Sequence, residues 1–287
     1  MTFYDSISPI INQPVVQATM WLVICGAVFT TLQNIFPHDK QQPNIRKDAY
    51  QDAFYWIAAP LVYSGIATLM LMAGLWVIFQ GNMDKASEYA TKGGEWVSGF
   101  PLWVQAIMVL LFTDLSLYWT HRLFHMGKLW KFHAIHHAAT DMDWLTAARF
   151  HPFNVICHTV FANSLAIWVG FPPVAIAVLT PFNILYSSMV HANLNWTFGP
   201  FKYIFASPVF HRWHHTGPDE GGNMNFAATF TFLDLIFGTF YMPEGKLPGK
   251  TGVWESYVPK NIIGHLIFPF VGKTREEEEL ENKIAAE

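Results

Sequence analysis

The chain has 287 residues, of which 52% are hydrophobic, 16% aromatic and only 13% charged, whereas ordinary soluble domains are about 25% charged. A net charge of -4, with Lys and Arg scattered rather than striped, gives no support to a nucleic-acid partner. The two cysteines, Cys25 and Cys157, lie in apolar runs and exclude a disulfide framework or a CxxC redox motif.

A membrane-crossing helix needs about 20 mostly apolar residues. Residues 15–36 form the first such stretch. The second, 53–79, is long enough to cross with tilt, and Pro60 is expected to kink it or mark its start. The third, 101–120, runs straight into His121. Segments 153–170 and 174–190, parted by Phe-Pro-Pro, read as a helical hairpin. From His191 onward the chain is aromatic-rich without a clear span, and the glutamate run at 276–279 reads as a solvated face. No cleavable signal peptide is expected, because the first residues lack a basic region and an A-x-A-like site. Lys40, Arg46 and Lys47 sit in the first loop, Lys85 and Lys92 in the second, and Arg122, Lys128, Lys131 and Arg149 beyond the third stretch. Five crossings with the N-terminus outside would gather 37–52, 121–152 and 191–287 in the cytoplasm.

Eight of the 13 histidines fall in two short segments, "HRLFHMGKLWKFHAIHH" at 121–137 and "HRWHH" at 211–215. Residues three and four apart share a helix face. His121 with His125, His133 with His136 and His137, and His211 with His214 and His215 therefore make three combs, with His191 a ninth candidate. Imidazole suits Zn, Cu, Fe and Ni, and one tetrahedral zinc takes only four ligands. Nine imidazoles are too many for one ion, so two ions are expected, each HxxHH box dividing its histidines between them. A lone histidine is more often a satisfied structural residue. A compositional storage tract or a pH sensor fits spaced combs less well. The soluble di-iron Glu-x-x-His motif is absent, and spacing by itself leaves iron and zinc both open. The fold expected is an all-α integral membrane protein of about four to five transmembrane helices, with a cytoplasmic histidine-rich helical cap holding a dimetal site.

From Leu111 to Met242 the chain resembles the fatty acid hydroxylase/sterol desaturase superfamily of integral membrane histidine-box di-iron oxygenases, and more narrowly its bacterial sterol desaturase family proteins. The resemblance rests on "DLSLYWTHRLFH", "LWKFHAIHHAATDMDWLTAARFHP", "HANLNWTFGPFKYIFASPVFHRWHH" and "NFAATFTFLDLIFGTFYMP". It implies metal ligation by His121, His125, His133, His136, His137, His191, His211, His214 and His215. Where some relatives carry a further histidine one turn earlier than His191, this chain has Ser187; His151 is the candidate for that place or for a supporting hydrogen bond. Asp114, two turns before His121, is a costly carboxylate in an apolar helix and a candidate to orient a ligand imidazole. Asn193, Asn195 and Asn225 are candidates to hold ligands or water, and Arg149 to meet a lipid head group. The division expected is an N-terminal transmembrane region (1–100), a fatty acid hydroxylase/sterol desaturase domain (101–245) and a C-terminal cytoplasmic tail (246–287).

The resemblance further implies two non-haem Fe ions, O2 as co-substrate, and hydroxylation or desaturation of an unactivated C–H bond in a membrane lipid. The chain has no GxGxxG and no haem-binding HPGG segment. Electrons are therefore expected in trans, from a ferredoxin, a cytochrome b5-like protein or a flavoprotein reductase. The expected location is the bacterial inner membrane, with the metal site on the cytoplasmic side. The rival readings are a carotenoid or sterol oxidase with the same centre, a zinc hydrolase, and a non-catalytic metal- or lipid-binding membrane protein.

Overall fold

The computed structural model describes residues 13–217, 219–253 and 258–273; the glutamate run at 276–279 lies outside them. Among the described residues the fold is helical, with no strand beyond an isolated antiparallel bridge between Pro37 and Leu194. The principal helices are α1 (Pro14–Ile35), α2 (Ala49–Ile78), α3 (Met83–Lys92), α4 (Leu102–Phe124), α5 (Trp130–His137), α6 (Pro152–Thr159), α7 (Thr180–His191), α8 (Pro208–His214), α9 (Phe232–Ile236) and α10 (Ile262–Val271).

Among the described residues, three stretches are long and apolar enough to cross a membrane: Pro14–Ile35, Leu102–Phe124 and Pro173–His191. The two other apolar stretches, α6 and α2, are built differently. Helix α6 continues through a π-helical turn at Val160–Ser164 and a last turn at Leu165–Trp168, giving a rod of about 25 Å, shorter than the hydrocarbon core of about 30 Å. Helix α2 has the length, at 30 residues with Pro60 inside it, and its first turns belong to the cap. Gln51, Asp52, Tyr55 and Trp56 are buried there, whereas Leu69, Trp76 and Val77 near its other end are exposed. Gly74 permits α2 to lie against Trp168, whose ring is 2.4 Å from where a Cβ would stand.

The helix ends share one pole of the molecule. The exit of α1 is stitched to the segment after α7, with His38 N donating to Asn193 O (3.2 Å) and Asn195 N to Phe36 O (3.1 Å). Beneath this seam Cys25, Phe29, Trp56, Leu145, Ala192 and Leu194 form one apolar core. The histidine-bearing ends of α4 and α7, the start of α6, and helices α5 and α8 meet at the same pole. Loops 37–52, 121–152 and 191–253 thus build a single cap.

Candidate metal centre

The nine histidines close into two groups. His121, His125, His133, His137 and His214 form one and His136, His191, His211 and His215 the other; within each, one ligand-capable atom per residue lies within 4.8 Å of every other. Both HxxHH boxes divide between the groups, because neighbouring positions on a helical turn point about 100° apart. Eight of the nine rings are buried and His125 is partly exposed.

Hydrogen bonds at Nδ1 set the proton inventory. His121 Nδ1 faces Phe226 O (2.8 Å), His136 Nδ1 faces Arg149 O (3.1 Å), His191 Nδ1 faces Ser187 O (2.7 Å) and His214 Nδ1 faces Met224 O (2.7 Å). His133 Nδ1 meets Asn154 Oδ1 at 2.9 Å and His125 Nδ1 meets Asn223 Oδ1 at 3.4 Å. A carbonyl oxygen only accepts, so each of these Nδ1 atoms carries the proton and each Nε2 a bare lone pair. Yet His121 Nε2 lies 3.0 Å from His133 Nε2, and His136 Nε2 lies 3.1 Å from His191 Nε2. Two lone pairs at that separation repel unless a cation lies between them. The buried Nε2 atoms of His125, His137 and His214 have no protein partner. Ligand nitrogens about 2.1 Å from one ion stand about 3.0 Å apart at right angles, which is the spacing seen. The donor set therefore fits two metal ions held by neutral imidazoles. Burial first, and neighbouring imidazoles next, hold His133, His136, His137, His211, His214 and His215 well below the ordinary histidine range.

The supporting residues differ from those the sequence suggests. Asp114 does not reach an imidazole: its oxygens accept the backbone N–H groups of Thr229 (2.9 Å) and Phe230 (2.7 Å). Asp234 accepts those of Phe226 (2.7 Å) and Ala227 (3.0 Å) and the Thr239 hydroxyl (2.6 Å). Together the two carboxylates clamp a strap, residues 226–230, whose Phe226 carbonyl orients His121. Asp114 thus acts on the ligand through the backbone. Asn225 enters the strap at φ 62°, a left-handed conformation that Asn tolerates. Its side chain bonds Phe210 O and both backbone groups of Tyr241.

His151 caps α6, its Nδ1 accepting from Phe153 N at 3.1 Å while Nε2 lies 3.3 Å from Leu266 O. This is a helix-boundary role, outside both histidine groups. Asn195 is exposed, and its backbone serves the seam to α1. Asn193 is buried and ties Asp39 to Arg212. Ser187 supports His191 through its carbonyl.

Arg149 is buried rather than turned to a head group. It pairs with Asp48 and Asp52, and Arg46 pairs with Asp48, Asp52 and Asp143. This ionic cluster fixes the loop that presents Arg149 O to His136. Asn154, Asn223 and Asp234 are the supporting side chains that sequence reasoning missed. For Asp234 a signal existed, since "FLDLIF" buries a carboxylate in an apolar run as plainly as the segment around Asp114 does.

A cavity of about 310 Å³ reaches the cluster from between the apolar helices. Its walls include Leu110, Thr113, Asp114 and Leu117 of α4, Ala162 and Asn163 of the π turn, and Asn183, Tyr186 and Ser187 of α7. His121, His133, His136, His191 and His211 form its head. A π turn inside a helix is a frequent mark of functional sites, and here it borders this cavity.

Comparison with known proteins agrees with this geometry. The fatty acid hydroxylase family profile matches residues 106–239. An ornithine lipid hydroxylase from Rhizobium tropici is 28% identical over 183 residues, covering 63% of this chain and 55% of the relative. Human alkylglycerol monooxygenase is 31% identical over 157 residues, 54% of this chain and 35% of the relative. A Delta(7)-sterol 5(6)-desaturase from Gibberella zeae is 28% identical over 164 residues, 53% and 44% of the two chains. The chain thus spans about a third to just over half of these relatives' lengths. No solved structure matches significantly. Residues 106–239, which run from the first turns of α4 to just past α9 and carry all nine clustered histidines, are the part of the chain that is similar to the fatty acid hydroxylase family.

Proposed function

We propose that the protein is a membrane-bound non-haem di-iron oxygenase that hydroxylates or desaturates an unactivated C–H bond of a lipid, using O2 and electrons supplied by another protein. One observation carries the reading: two groups of neutral imidazoles with converging bare nitrogens form the head of a cavity that opens between membrane-length apolar helices. His121, His125, His133, His137 and His214 would hold one ion, and His136, His191, His211 and His215 the other. Bound iron would supply the activation of O2 and the oxidation of the C–H bond.

The protein's own residues do the rest. The carbonyls of Phe226, Arg149, Ser187 and Met224 hold the ligand tautomers, so that donor atoms point inward before the ions arrive. The walls contributed by α4, α7 and the π turn position a lipid chain beneath the histidines and limit water there. We take the protein to cross the membrane four to five times with the cap in the cytoplasm, Leu102–Phe124 and Pro173–His191 both ending in it. The relatives' names, which specify an ornithine lipid, an alkylglycerol and a sterol, support a lipid as substrate.

The test is to supply purified, iron-reconstituted protein with reductant and candidate lipids under 18O2. The reading expects one labelled oxygen in an alcohol product, or an alkene, formed only with O2 present. Turnover without O2 would refute it and favour a hydrolase.

A further inference from the structure

We propose that the cavity below the histidines holds the uncharged hydrogen-bonding linkage of its lipid, a hydroxyl, ester or amide. Ser187 and Asn183 of α7, with His158 of α6 and Asn163 of the π turn, are the residues that hold it. This rests on the reading of the cavity as the substrate site and adds a substrate class to it.

The walls of the cavity differ in chemistry. The α4 wall offers Leu110 and Leu117, and its polar groups are already engaged. Thr113 donates its hydroxyl to Val109 O at 2.8 Å, and Asp114 accepts the backbone N–H groups of Thr229 and Phe230. On α7, His191, Ser187 and Asn183 are spaced four residues apart and share a face. Ser187 and Asn183 thus stand about 6 and 12 Å along the axis from the ligand. The neighbouring Ser188 donates to Ile184 O at 2.8 Å, the ordinary way a helix satisfies a hydroxyl. The half-buried Ser187 hydroxyl and the exposed Asn183 carboxamide, both at the cavity, make no such bond to any described residue.

A second polar column runs down α6. His133 donates from Nδ1 to Asn154 Oδ1, so the Asn154 amide nitrogen donates to His158 Nε2 at 3.1 Å. His158 is therefore neutral with its proton on Nδ1, which has no partner among the described residues. Its ring lies in the cavity wall, with its centroid 6.5 Å from those of His121 and His133. The i→i+5 ladder of the π turn brings residues five apart towards one face, and Asn163, five after His158, joins it at the cavity with its carboxamide unpartnered. Polar groups in an apolar setting cost free energy until a partner arrives, and Pro173–His191, which carries two of these four, is apolar and of membrane length. A hydroxyl and two carboxamides both donate and accept, and His158 donates. That set matches a hydroxyl, ester or amide, whereas an alkyl chain would leave all four unmatched. A linkage held there presents the carbons next to it, rather than the far methyl end, to the histidines.

The experiment measures saturable binding of tritiated 1-hexadecanol to the purified protein in nanodiscs by scintillation proximity, without O2 so that nothing turns over. Unlabelled 1-hexadecanol, N-methylhexadecanamide and hexadecane serve as competitors. The alcohol and the amide should compete about ten-fold better than the hydrocarbon, as one or two added hydrogen bonds allow. In Asn163→Leu/Asn183→Leu that preference should vanish, and in the milder Ser187→Ala it should shrink, with circular dichroism and iron content as in the wild type. Hexadecane competing as well as the alcohol, no saturable binding to the wild type, or an undiminished preference in both variants would overturn the proposal. A wild-type protein that shows the preference yet holds no iron would instead defeat the oxygenase reading itself.

Discussion

At the scale of single residues, the centre is a set of imidazoles whose protons are assigned by backbone carbonyls. His136→Ala removes one of four donors from its group, so bound metal should fall by about half by elemental analysis, with the circular dichroism unchanged. Asp234→Asn places an amide against two backbone N–H groups it cannot both satisfy, which costs about 1–3 kcal/mol. Denaturant titration should register that loss. Activity should fall with it, since the strap that carries Phe226 O loosens. In the metal-free protein, the buried imidazoles of α5 and α8 stay neutral well below the ordinary value of 6.5. The unfolded chain binds protons there near that value, so below it unfolding takes up protons. Stability is then full above about pH 6.5 and declines as pH falls. Midpoints of chemical denaturation measured from about pH 8 down to pH 5 should show that decline; a flat profile would contradict neutral buried rings.

At the scale of elements, the histidine combs were legible because helical spacing writes ligands into sequence. Their supports were not, since four are main-chain carbonyls, which every residue possesses. Asp114 was legible as a costly buried charge, but its partners, 115 and 116 residues away, were not. The apolar run in α2 suggested a span from residue 53, because hydropathy does not distinguish a side chain facing lipid from one buried in a protein cap. Tyr55 and Trp56 are of the second kind: Trp56 Nε1 donates to Leu145 O at 3.0 Å, and Tyr55 Oη lies 3.1 Å from His265 Nδ1. The first turn of α2 also carries Asp52, caught between two buried arginines. Asp52→Ala leaves Arg46 and Arg149 short of a counter-charge, and breaking a buried pair costs about 3–5 kcal/mol. Thermal unfolding in detergent should drop accordingly. The four-histidine group should lose metal affinity before the other, because Arg149 O supports His136.

At the scale of the whole molecule, apolar helices stand beneath a cap that draws on loops from the full described length of the chain. Only coordinates could reveal that the two faces of the histidine cluster have different neighbours. The partial exposure of His125 has a consequence for how the protein gains and loses its ions. One group includes a partly exposed residue, while every residue of the other is buried. Ions in the two groups should therefore exchange with solution at unequal speeds. A chelator added to isotopically labelled protein should release label in two phases of similar amplitude, the five-histidine ion leaving first. Filling an empty protein should run in the opposite order, with the fully buried group occupied before the partly exposed one.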